Sequence, residues 1–170
     1  MASVRSFHSG STEATEAFGA ALGRRLTAGH VLALVGELGA GKTTLVRGLA
    51  RGLGVAADDV SSPTFALMHE YEGRLPVRHF DAWMAGREAL FLEGGGAELL
   101  GGEGVALIEW ADRIEPWLPP THLCLAIAHV SASERSLRLE ARGGDDSALG
   151  CELVTSLEVP PGVREVASNS

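Results

Sequence analysis

Gly36-Glu37-Leu38-Gly39-Ala40-Gly41-Lys42-Thr43 has the spacing G-x-x-x-x-G-K-[ST] of a phosphate-binding loop. The run before it, Val31-Leu32-Ala33-Leu34-Val35, is apolar throughout, as expected of a buried parallel strand. The run after it, Thr44-Leu45-Val46-Arg47-Gly48-Leu49-Ala50-Arg51, puts apolar residues at helical spacing. The loop therefore joins the end of a strand to the start of a helix. Backbone N–H groups are unpaired there, and the helix dipole favours an anion. Glycines at 36, 39 and 41 allow successive N–H groups to turn inward. Lys42 has the reach for β- and γ-phosphates, and Thr43 offers a hydroxyl to Mg²⁺. The fold expected is α/β of the P-loop NTPase kind: three layers, a mixed and mostly parallel sheet flanked by helices.

Outward from the loop, Ser11 or Thr12 is placed to cap a first helix, with Ala14, Ala17, Phe18, Ala21, Leu22 and Leu26 on one face. The loop helix is expected to stop at Gly52-Leu53-Gly54. Thr64–Tyr71 and Leu75–Phe80 read as two strands of a β-hairpin joined at Glu72-Gly73-Arg74, and Pro76 puts the second near an edge or at its own start. A helical patch is expected around Arg87–Leu92. Val105-Ala106-Leu107-Ile108 is another buried-strand run, ending in Glu109-Trp110, and His122–Ala128 and Arg135–Glu140 read as late strands. From Gly143 the pattern becomes irregular. The expected division is a P-loop domain over residues 1–142 and an irregular C-terminal tail over 143–170, with a disordered end.

At 170 residues, 45% hydrophobic and 21% charged, the composition is that of an ordinary globular domain with a real core. No apolar run reaches membrane-spanning length, and Met1–His8 has no apolar signal block. Cys124 and Cys151 lack metal-type spacing and read as reduced thiols. A cytoplasmic protein is expected. A net charge of −8 argues against this surface alone gripping nucleic acid.

A phosphate loop needs acids to hold Mg²⁺ and to orient the attacking group. In open α/β sheets such acids stand beyond the carboxyl ends of strands. Asp81, after His79-Phe80, and Glu109 both qualify, and sequence does not divide the two roles between them. Trp110 fits either a place beside the nucleotide or the core, which is the commoner fate of tryptophan. His79, close to Asp81, invites a base reading, but packing or a hydrogen bond to the chain is the commoner fate, since phosphoryl transfer needs positioning more than a strong base. Tyr71 and Trp83 read as packing residues. Arg135 opens a late strand, within reach of a phosphate or ribose, but a lone arginine is most often a solvated surface group.

Four blocks resemble the bacterial TsaE (YjeE) family: the loop from Gly36 to Thr44, Ser62-Pro63-Thr64-Phe65-Ala66-Leu67, His79-Phe80-Asp81 and Ile108-Glu109-Trp110. Their order and spacing agree from about Ser11 to Glu140. The resemblance implies a weak Mg²⁺-dependent ATPase needed for threonylcarbamoyladenosine in tRNAs reading codons that begin with A. It also implies that the ATPase works with the TsaD and TsaB proteins. Carried over by position, Thr43 and Glu109 match the family's Mg²⁺ ligands, and Asp81 matches a switch-region aspartate placed to orient water. Glu37, Leu38, Gly39, Ala40, Gly41, Lys42, Thr43 and Thr44 match the ATP-binding loop. Thr12, Trp110 and Arg135 match positions beside the nucleotide, and Ser62–Leu67 matches a γ-phosphate-sensing switch. This chain departs from the family at Ala82-Trp83-Met84, where the family has Leu-Tyr-Arg, and at Ala111-Asp112-Arg113.

Two other function classes compete on sequence grounds. A small nucleotide or metabolite kinase would carry an arginine-rich lid, yet Gly94–Gly104 contains no arginine. A nucleotide-binding switch without turnover has no feature against it. A GTPase is disfavoured because the only asparagine, Asn169, cannot belong to an N-K-x-D motif.

Overall fold

The computed structural model describes residues 3–37, 39–61, 68–83, 93, 98, 100, 102–143 and 148–167. Leu38, Ser62–Leu67, Met84, the helical patch expected at Arg87–Leu92 and the chain end from Ser168 lie outside the described residues.

A single sheet organises the chain. Its strands are β1 (Val4–Ser9), β2 (Val31–Val35), β3 (Met68–Glu72), β4 (Pro76–Asp81), β5 (Val105–Glu109), β6 (His122–His129), β7 (Arg135–Arg142) and β8 (Val163–Val166), in the order β3-β4-β5-β2-β6-β7-β1-β8. The β4-β5, β5-β2 and β2-β6 ladders are parallel. The β3-β4, β6-β7, β7-β1 and β1-β8 ladders are antiparallel. The expectation of a mostly parallel sheet is thus corrected: the parallel part is confined to the four strands around β2. Strand direction leaves no trace in an apolar run, whereas buried parallel strands and sandwiched antiparallel ones can read alike. The hairpin is present as β3-β4, and Pro76 stands at the first position of β4, where its missing N–H breaks least of the ladder.

Helices α1 (Thr12–Gly23), α2 (Lys42–Gly52) and α3 (Ala148–Ser156) cover one face. Their apolar sides share a core with alternate strand residues: Phe18 and Leu22 of α1, Leu45 and Leu49 of α2 and Leu153 of α3 meet Leu32, Leu34, Leu107, Leu125 and Leu139. The other face carries a smaller cluster of Val31, Ala33, Phe80, Ala106 and Ile108. It is closed, among the described residues, by Leu100 and a 3-10 segment at Ala111–Trp117. Ser11 caps α1, its hydroxyl accepting from the Ala14 N–H at 3.0 Å. Gly54 in the left-handed region (φ +81) follows the end of α2, as its glycines foretold.

The chain beyond Gly143 is not the irregular tail the pattern suggested. It forms α3 and then β8, which pairs with β1 at the far edge of the sheet. Cys124 lies in β6 and Cys151 in α3, unbonded to each other, and burial pushes the Cys124 thiol above its usual range. Among the described residues no helix is long and apolar enough to cross a membrane.

Candidate functional site

Parallel strands β4, β5 and β2 end side by side at Asp81, Glu109 and Val35. Alternation decides where their last side chains go. Val77 of β4 and Val105 and Leu107 of β5 face the helix-side core. Residues two positions on in each strand, His79, Asp81 and Glu109, therefore face the same side, where α2 begins.

The loop between β2 and α2 is shaped by two glycines in particular. A Cβ on Gly36 would stand 2.5 Å from the Ile127 carbonyl oxygen of neighbouring β6. Gly41, at φ +107, is the residue from which α2 starts. The curl brings Thr43, in the first turn of α2, to β5: its hydroxyl donates to Glu109 Oε1 at 3.2 Å, across 66 residues of chain. Lys42 is buried against the loop, donating to the carbonyls of Gly36 and, at 2.8 Å, Glu37. Burial holds its ammonium below the ordinary lysine range, and the nearby charges of Glu109, Asp112 and Asp81 pull the other way.

Trp110 follows Glu109 with φ +59 and ψ +36, the left-handed region that costs a side-chain-bearing residue about 1 kcal/mol. This turn carries the indole back over the loop, 3.7 Å from Lys42 Nζ. Trp83 packs on Trp110 with ring centroids 4.4 Å apart, and the Arg113 guanidinium lies 4.6 Å from the Trp83 ring. Trp83 is therefore not plain packing: it is 37% exposed at the mouth of the site.

Asp81 and Glu109 are both nearly inaccessible and stand in register on adjacent strands. Asp81 Oδ1 accepts from the Trp83 N–H at 2.9 Å. Glu109 Oε2 meets His79 Nε2 at 2.6 Å in the buried interior. On the opposite flank, Arg135 donates from Nε to the Ala40 carbonyl at 2.8 Å and from NH1 to Ser131 and Glu134. It is a brace on the loop, not the solvated group that a lone arginine suggests. Thr12, Thr15, Gly41, Thr44, Ser133 and Arg135 line a cleft of about 20 Å³ beside it. That is room for a water, so a larger group must sit at its mouth or open it.

A family model described as "Threonylcarbamoyl adenosine biosynthesis protein TsaE" matches residues 9–137. The chain belongs to the TsaE family. Among its relatives, the TsaE of Treponema pallidum (strain Nichols) is 36% identical over 127 residues, 75% of this chain and 93% of that protein. The TsaE of Bacillus subtilis (strain 168) is 43% identical over 116 residues, 68% of this chain and 72% of that protein. The crystal structure of Bacillus subtilis YdiB superposes with a TM-score of 0.70 at 32% identity, covering 91% of this chain and 97% of that one.

Of the residues singled out in sequence, this TsaE-family chain gathers Glu37, Gly39, Ala40, Gly41, Lys42, Thr43, Thr44, Asp81, Glu109 and Trp110 about one loop. Arg135 and Thr12 stand on its flank. Leu38 lies outside the described residues. His79 takes the hydrogen-bonded place within the chain that was one of its expected fates, and Tyr71, expected only to pack, joins the site with it through Glu109. The one available signal was His79 two positions before Asp81, a spacing that puts both on one face of a strand.

Proposed function

We propose that this protein binds ATP at the Gly36–Thr44 loop and hydrolyses it with Mg²⁺. In this reading it serves, with TsaD and TsaB, the threonylcarbamoyladenosine modification of tRNAs reading codons that begin with A. The observation that carries the reading is the 3.2 Å approach of the Thr43 hydroxyl to Glu109 Oε1, at the start of α2 and next to the buried Lys42. Two hard oxygen donors from protein, completed by phosphate and water, suit Mg²⁺, which keeps most of its shell outside the protein. Bound there, the ion neutralises charge on the transferring phosphoryl group.

The chain's own residues do the rest. Loop amides and the start of α2 hold phosphate oxygens. Lys42 exchanges its carbonyl partners for phosphate. Asp81, fixed beside Glu109 by the strand register, is the acid available to orient water. Arg135 keeps the loop in shape through Ala40. Turnover by the chain alone is taken to be slow, as the likeness to the family implies, with TsaD and TsaB raising it. Family membership supports the tRNA pathway, and the relatives that match carry that role in their names.

The test uses Lys42→Ala and Glu109→Ala in a reconstitution with TsaD, TsaB and tRNA. ATP turnover and modification beyond one cycle are expected to fall about 100-fold or more. Variants that sustain full modification would overturn the reading.

A further inference from the structure

A file of buried polar groups runs away from the loop on the far side of Glu109. Glu109 Oε2 meets His79 Nε2 at 2.6 Å, and His79 Nδ1 meets the Tyr71 hydroxyl at 3.1 Å. The Tyr71 hydroxyl in turn donates to the Ser61 carbonyl at 2.9 Å and accepts from the Ser61 N–H at 3.3 Å. His79 is wholly buried, and Tyr71 and Glu109 nearly so. Three strands build the file: β3 gives Tyr71, β4 gives His79 and β5 gives Glu109, each on the helix-side face.

Hydrogen counting fixes its direction. Tyr71 has one hydroxyl hydrogen, and it goes to the Ser61 carbonyl. Toward His79 the hydroxyl oxygen can then only accept, so His79 Nδ1 carries a hydrogen and donates it. One further hydrogen lies between Nε2 and Oε2. The ring is held at both nitrogens, and Glu109 is left one free choice: Oε2 to His79, Oε1 to Thr43.

We infer that His79 and Tyr71 are positioning residues for the metal-holding carboxylate, through a fixed file Ser61–Tyr71–His79–Glu109 that keeps Oε1 aimed at Thr43. The inference rests on the proposed Mg²⁺–ATP site. A carboxylate that takes one bond to a metal and one to a buried partner loses much of its rotational freedom, so metal binding costs less ordering. The file also ties the loop site to the main chain at Ser61, well outside the phosphate loop.

The test compares full-length wild type with His79→Gln, His79→Asn and Tyr71→Phe. Calorimetry measures binding of a non-hydrolysable ATP analogue without Mg²⁺, and then the Mg²⁺ concentration that half-saturates the effect of the ion. The glutamine amide reaches the place of Nε2 and keeps a donor on Glu109, whereas the asparagine amide stands at the place of Nδ1 and does not. His79→Asn is expected to raise the Mg²⁺ requirement about 10-fold or more, and His79→Gln to bring it back within about threefold of wild type. Tyr71→Phe raises it about threefold, and metal-free affinity for the analogue stays put throughout. A merely structural role would weaken both affinities together and would not separate glutamine from asparagine. If wild type binds analogue and Mg²⁺ but the two His79 variants behave alike, the file is overturned while the site stands. If wild type shows no Mg²⁺-dependent binding, the site itself falls. Should the His79 variants not fold, Tyr71→Phe decides: an unchanged Mg²⁺ requirement overturns the file.

Discussion

The Lys42 ammonium stands 3.7 Å from the centre of the Trp110 ring while its hydrogen bonds go to the carbonyls of Gly36 and Glu37. In this arrangement the lysine satisfies itself on its own loop. A polyphosphate must draw Nζ off those carbonyls, and the cation then leaves the face of the indole. Tryptophan emission should therefore change on nucleotide binding. Trp110→Phe is expected to remove most of that change, and Trp117→Phe to leave it intact. Nucleotide affinity of Trp110→Phe should move by no more than about 1–2 kcal/mol, the worth of a partly desolvated cation–π contact. An undiminished emission change in Trp110→Phe would show that Lys42 does not relocate.

Helices α1 and α2 approach through glycine. A Cβ on Gly48 would stand 2.1 Å from the Glu16 carbonyl oxygen, and one on Gly52 would stand 2.3 Å from that of Ala20. From the other side, a Cβ on Gly19 would meet the Leu45 carbonyl oxygen at 2.6 Å and one on Gly23 the Leu49 oxygen at 2.3 Å. These obstacles are backbone atoms that cannot swing aside. Gly48→Ala gains about 1 kcal/mol of helix propensity, but forcing the helices apart costs more than that. A net loss of about 2 kcal/mol is expected, seen as a midpoint about 4–8 °C lower in thermal unfolding. The neighbouring exposed Arg47→Ala should stay within about 0.5 kcal/mol of wild type. An unchanged midpoint for Gly48→Ala would mean that the helices pack less closely than described.

Those glycines also show where sequence reading ran out. Gly52 was legible as part of a helix end, because capping is a local property of the chain. Gly19, Gly23 and Gly48 look like weak points in helices until the partner backbone is in place. The loop, β2, α2 and the strand ending at Glu109 were readable for the same reason as the cap: their signals lie within a dozen residues. The partners of Tyr71 and His79 had no such signal, since they depend on strand register across β3, β4 and β5. Arg135 looked like a surface group because its partner is a backbone carbonyl 95 residues earlier. Strand β1 has only Phe7 and Ser9 buried, too thin an alternation to register against a polar background. Helix α3 and strand β8, of 9 and 4 residues, are too short for periodicity to announce them.

One arginine of β1 adds to the β1–β8 ladder and the core contacts of α3 in fastening the C-terminal part. Arg5 donates from Nε and NH2 to the two Glu165 oxygens at 2.9 and 2.8 Å, and from NH1 to the carbonyls of Val154 and Leu157 at 2.9 and 2.8 Å. The planar fork thus joins β1, the end of α3 and β8, a geometry that lysine cannot copy. The hydrogen bond from Arg5, more than its charge, holds the Glu165 carboxyl below its ordinary value of 4.5. A depressed carboxylate contributes stability above the unfolded-state value and loses it as pH falls through the folded one. Glu165 is half exposed, so the effect belongs to β8 and not to the whole fold. Amide protection at Val163–Val166, corrected for intrinsic exchange, is expected to hold at pH 6 and to drop below pH 4.5 more steeply than protection in β2. Glu165→Gln should show the lowered protection at both pH values and lose the acid step. Arg5→Lys should weaken β8 and the end of α3 together, by about 1 kcal/mol for the part-buried carbonyls left short of a donor. If acid leaves β8 protection unchanged in wild type, the Arg5–Glu165 fork is not what holds the last strand to the sheet.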